Sequence, residues 1–193
     1  ELKTIMTSTP QKKPRKSRTQ KQPSTIKSST VVAKPTRKKS APKKNIALPP
    51  NPFVNEILEY VSGQKSKIAK VEALKEYRND ALVSILIWNF DETVISMIPE
   101  GDVPFTPNDS PEGTDHTSLR REQRNLYHFV KGGNDALNNL RRESMFIQML
   151  EGLHPNEARV VVLAKDGRLH EDYAVTYDQV AEAYPDIQWG GRS

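Results

Sequence analysis

Apolar residues recur at helical rather than alternating spacing over most of residues 51–187. The clearest stretch is 141–164, RRESMFIQMLEGLHPNEARVVVLA. Leu140, Ile147 and Leu150 fall at i, i+7 and i+10, with Phe146 and Leu153 beside them, which is the one-sided stripe of a helix packed on a core. Gly152 ends that helix, Pro155 fits the first turn of the next, and Glu157 complements the positive end of this second helix. The rest of the body is expected to wrap around this pair.

Upstream, Pro49-Pro50-Asn51-Pro52 marks a boundary, with Asn51 as an N-cap and Pro52 at the first helical position. Phe53, Ile57, Tyr60 and Val61 predict a short amphipathic helix ending near Gly63. A second helix is expected over 66–77, with Ile68, Val71, Leu74 and Tyr77 on its inner face. The third, over 79–90, contains DALVSILIWNF, apolar almost all round, and belongs at the centre. Its Val and Ile also suit a strand, but no partner strand of equal strength lies nearby.

Residues 98–116 hold four prolines, two glycines and five acids, the composition of a long surface loop. Thr117 or Ser118 then caps a helix through about Val130, with Leu119, Leu126, Phe129 and Val130 inward and Gly132-Gly133 as its stop. Asp166-Gly167 reads as a turn. Thr176 caps a last helix over 177–184, ended by Pro185, and Trp189-Gly190-Gly191 reads as a loose end. The expected fold class is all-α: a compact bundle of six to seven helices with one long Pro-rich loop.

Charge changes the picture at the other end of the chain. Residues 1–50 carry 14 of the 29 Lys and Arg and one of the 24 acids, a net +13, which leaves residues 51–193 at −8. The basic segment has no aromatic residue between 6 and 48 and few large apolar ones. It cannot bury enough apolar surface to offset its ordering entropy, so a disordered arm over 1–50 and a helical domain over 51–193 are expected. Met6 reads as a natural start for this arm. The chain has no cysteine, which suits a reducing compartment, and its longest apolar run, 81–88, is far short of a bilayer span. No signal-peptide core is visible, so a soluble, intracellular protein with no membrane partner is expected.

The arm is the strongest candidate for chemistry. Lys12, Lys13, Arg15, Lys16, Arg18, Lys21, Arg37, Lys38, Lys39, Lys43 and Lys44 can neutralise phosphates and release counterions, giving salt-sensitive binding that does not depend on sequence. Without interleaved aromatics the arm offers no base stacking. Its other readings are contact with an acidic protein, including the body of a neighbouring copy, or a solubilising tail. In the body, Arg120, Arg121 and Arg124 share one side of an α-helix by i, i+1, i+4 spacing, and Arg141 and Arg142 open the next. They either extend a nucleic-acid footprint or, as the preferred reading, form surface ion pairs with Glu122, Glu143 or the acidic loop.

The loop acids Glu100, Asp102, Asp109, Glu112 and Asp115, with His116, are the residue types of a metal-dependent nuclease, but their spacing fits no metal motif. They read better as turn formers, with His116 anchoring the loop by a hydrogen bond. His128 and His154 read as local hydrogen-bonding and corner residues. Gly132-Gly133 lacks the lysine and Ser/Thr of a phosphate loop. No catalytic residue, metal ligand or cofactor is assigned.

PEGDVP at the start of the Pro-rich loop, GTDHT at its end, VKGGN after the Arg-rich helix and FIQMLEGLHPNEA together resemble a small-protein family of T4-like tailed phages, common in phages of marine cyanobacteria, over about 65–187. The resemblance implies a small, mostly helical phage protein made in an infected bacterial cell, and it implies no activity; the expected place is the host-cell cytoplasm or the virion. The arm departs from it. Together these readings give a non-enzymatic accessory protein whose arm binds nucleic-acid phosphate while its body docks a protein partner or itself. The alternative is a virion or assembly component whose arm contacts acidic subunits.

Overall fold

A computed structural model of the chain describes residues 48–111 and 114–191. The arm, with all eleven cations named for it, lies outside the described residues apart from 48–50. Among the described residues there are seven α-helices: α1 (Val54–Gly63), α2 (Lys67–Glu76), α3 (Asp80–Phe90), α4 (Leu119–Glu122), α5 (Asn139–Gly152), α6 (Pro155–Lys165) and α7 (Tyr177–Ala183). Two 3-10 segments join them, Gln123–Phe129 directly after α4 and Leu169–Glu171 before α7. No strand is present among these residues, only one antiparallel bridge between Ser96 and Val130.

α6 packs against α1, α3 and α5, while α2 lies between α1 and α7. α6 therefore sits at the centre, and α5 packs on it from one side and on the 3-10 segment after α4. Val160, Val161 and Ala164 of α6 are fully buried, with Leu82, Ile85 and Leu86 of α3. An aromatic chain joins three elements: Trp88 meets Phe146 edge-on at 6.4 Å, and Phe146 meets Phe129 at 5.0 Å. α3 is a helix, and the strand reading falls away.

Caps follow sequence chemistry at most starts. The Ser66 hydroxyl accepts from the Ala69 amide at 3.1 Å and Asn79 from Leu82 at 2.9 Å. α1 is different: its N-cap is Phe53, two residues later than expected, and the Glu56 carboxylate reaches back to the Phe53 amide at 2.8 Å. Asn51 and Pro52 precede the helix.

Four other expectations are corrected. Ile68 is 69 % exposed, because α2 turns Val71, Ala73 and Leu74 inward between its two neighbours. Leu140, in the first turn of α5, is 74 % exposed. The helix expected through Val130 is α-helical for four residues only and then tightens, and Val130 leaves it in extended form (φ −116°, ψ 149°) to face Ser96. The C-terminal end is tied down: Trp189 packs edge-on against Tyr177 at 4.9 Å, and the Gly190 amide donates to Asp91 at 3.0 Å. Gly190, with φ +86°, takes a backbone conformation that side chains rarely adopt.

Candidate nucleic-acid interface

The body's cations are best placed by the winding of the element that carries them. An α-helix would gather Arg120, Arg121 and Arg124 on one side. The chain from Gln123 is a 3-10 helix instead, seven residues long where three or four is common. With three residues per turn, side chains stack in rows. Leu126 and Phe129 form the buried row, with Gln123 half-buried before them. Arg124 and Tyr127 form an exposed row that Arg121 begins from the end of α4. Arg120 leaves this row, and its guanidinium donates to the Pro52 carbonyl at 3.2 Å.

Among the described residues the expected ion pairs do not form. Glu122 is taken by the Thr117 hydroxyl at 2.8 Å and the Asn125 amide at 2.9 Å. Arg121, Arg124 and Arg141 are exposed and make no ion pair among the described residues.

Arg142, the neighbour of Arg141, is only 1 % exposed. Its guanidinium donates to the carbonyls of His128 (2.8 Å), Asn134 (2.9 Å) and Leu137 (3.1 Å), and to the Asn139 side chain (2.6 Å). It is an internal staple that binds the 3-10 segment and the 131–138 turn to α5, so it belongs to no surface footprint. A planar fork of five donors reaches these four acceptors from three directions, a spread that the three donors on a lysine's single nitrogen do not match.

Glu157 is another buried charge, fully enclosed. It serves more than its own helix. One carboxylate oxygen accepts from the Val54 amide at the start of α1 (3.1 Å), the other from the Leu119 amide at the start of α4 (2.9 Å). Burial pushes this carboxyl above its ordinary range, against the two amide bonds and the nearby His154 and Arg120, which favour the charge. Three helix starts thus converge on one side chain, and the segment that carries the arginine row is set from there.

The end of the segment is fixed as firmly. A Cβ on Gly133 would lie 1.9 Å from the Tyr127 carbonyl oxygen, so only glycine lets the turn close over Tyr127. The Tyr127 ring, 48 % exposed, lies against His128 with centroids 3.9 Å apart. His128 Nδ1 is in turn bonded to the Asn134 amide at 2.9 Å, the local role expected of it. His154, at the corner, caps α6 by accepting from the Asn156 amide at 3.3 Å and stacks on Phe53.

The acidic loop is held by its backbone. The Pro99 carbonyl accepts from Lys165 (2.8 Å), the Gly101 amide donates to Asp166 (3.1 Å) and the Thr106 amide to Glu151 (3.2 Å). Asp115 accepts from Asn108 at 3.4 Å. His116 is exposed and does not anchor the loop; the Thr117 amide, bonded to the Gly152 carbonyl at 3.0 Å, does. Glu112 lies outside the described residues. Among those described, no group of three or more His, Cys, Asp or Glu is placed to hold a metal ion. None of their helices is long and apolar enough to cross a membrane.

A family of unknown function (DUF6433) matches residues 57–171, more than half of the chain and all of the elements just described from within α1 to the second 3-10 segment. No curated protein and no solved structure matches the chain.

Proposed function

We propose that this chain, which belongs to the family of unknown function DUF6433, is a non-enzymatic phage accessory protein of the host-cell cytoplasm whose basic arm binds nucleic-acid phosphate while its helical body docks a protein. The observation that carries the reading is the charge split, +13 over residues 1–50 against −8 over 51–193. A cationic, Pro- and Ser/Thr-rich arm without aromatics suits backbone tracking on a polyanion. An acidic body keeps the whole chain from adhering to every polyanion it meets. The mechanism is tethering, in which weak arm contacts raise the local concentration of the body.

The test compares the full chain with a full-length variant carrying Gln at Lys12, Lys13, Arg15, Lys16 and Arg18, both titrated against duplex DNA at low salt. Retardation by the native chain and its clear weakening in the variant is the expected result. Equal binding by both, or binding by neither, overturns the reading. The same charge split supports a second reading, a virion component whose arm lies on acidic subunits. It predicts self-association that survives nuclease treatment.

A further inference from the structure

The arm can hold phosphates but has no aromatic ring on which a base could stack. The body supplies what the arm lacks, in a place where it is held rigid. Arg121, Arg124 and Tyr127 lie on one exposed row of α4 and its 3-10 continuation. At about 2 Å of rise per residue, neighbours on such a row stand about 6 Å apart. That spacing is within reach of successive nucleotides of an extended strand.

Neither arginine is spent on an ion pair among the described residues. The backbone of Tyr127 is locked under Gly133, and its ring rests on a histidine that Asn134 holds. The turn that follows is stapled by Arg142 through the His128, Asn134 and Leu137 carbonyls. An exposed aromatic supported on this scale has little rotamer freedom left to lose on binding.

We propose that the Arg121–Arg124–Tyr127 row is a binding site for an unpaired nucleic-acid strand, with the two guanidiniums on successive phosphates and a base stacked on the Tyr127 ring. The site rests on the reading of the arm as a phosphate binder and sharpens it: the arm supplies affinity for any nucleic acid, and the row selects unpaired strands. Duplex DNA keeps its bases inside the stack and gains nothing from Tyr127.

The test uses the full chain with an unpaired oligonucleotide and a duplex of the same length, measured in parallel. Tyr127→Ala is expected to weaken unpaired-strand binding about tenfold and leave duplex binding unchanged, while Tyr127→Phe, which keeps the ring, binds both as the native chain does. The double variant Arg121→Gln, Arg124→Gln is expected to lower the salt slope for the unpaired strand by about 1.4. Unchanged unpaired-strand affinity in Tyr127→Ala overturns the site, as does an equal loss on both ligands. The arm reading fails separately, when the arm variant binds duplex as well as the native chain does. Absence of all binding by the native chain overturns both.

Discussion

At the α2–α7 contact, charge meets charge on the surface. Lys67 pairs with Glu182 at 2.7 Å with both side chains half exposed, and Arg78 grips Asp186 through two bonds while lying over the Tyr184 ring. Around α4 and its 3-10 continuation the arrangement is reversed. There the charges that hold structure, Glu157 and Arg142, are buried and bind backbone amides and carbonyls, while Arg121 and Arg124 outside are unpaired among the described residues. The difference separates two uses of charge. Exposed pairs trim a packed contact and contribute little. Buried charges with backbone partners hold a segment in place, and the cations on that segment stay available for a ligand.

The largest way to break the comparison is Arg142→Ala. It deletes a fully buried side chain and strands three carbonyls, so a loss of about 3–5 kcal/mol is expected in denaturant unfolding. Arg142→Lys should recover only part of it. Glu157→Ala comes next, at about 2–4 kcal/mol, since it orphans the first amides of both α1 and α4. Gly133→Ala forces backbone apart at Tyr127 and should cost about 1–3 kcal/mol while disturbing the ring without touching the arginines.

Glu157→Gln sharpens the contrast through pH. Burial raises the Glu157 carboxyl, so the folded chain holds the protonated form better than the unfolded chain does. Its contribution is complete below the ordinary glutamate value, about 4.3, and is lost as pH rises through the higher folded value. Unfolding followed from pH 4 upward should show the native chain's advantage over Glu157→Gln shrinking, and an advantage that grows would contradict the assignment. The smallest effect belongs to the α2–α7 side, where Lys67→Ala should leave the melting temperature unchanged within error.

Much of this body was legible in the chain. Stripe and caps place α1, α3, α5 and α6 to within a residue or two, and Gly152 and Pro155 mark the corner where it lies. The misreadings have physical sources. Ile68 has inward spacing, but α2 is wedged between two helices and the small Ala73 takes an inner position that hydropathy does not flag. Leu140 occupies the first turn of a helix three residues longer than the α6 it packs on.

The candidate site was half legible. Its arginines were found, but their row was not, because the change from 3.6 to 3.0 residues per turn shows only in the burial of Leu126 with Phe129. Both buried anchors did leave a signal. Arg142 stands four and seven residues before Phe146 and Met149, and Glu157 three and four before Val160 and Val161, each a charge on its helix's apolar stripe. A charge at such a position needs internal partners, and both have them.

The claim at the centre is that the chain divides its labour, with the arm giving salt-dependent affinity and the body adding a fixed local contact. It is tested most directly by the salt dependence of binding to duplex DNA, read as the slope of log affinity against log salt for the native chain and for the arm variant. The account predicts a steep slope that falls by about 0.9 for each arm cation engaged on a phosphate and then removed. A slope that stays the same when five arm cations are neutralised would contradict it.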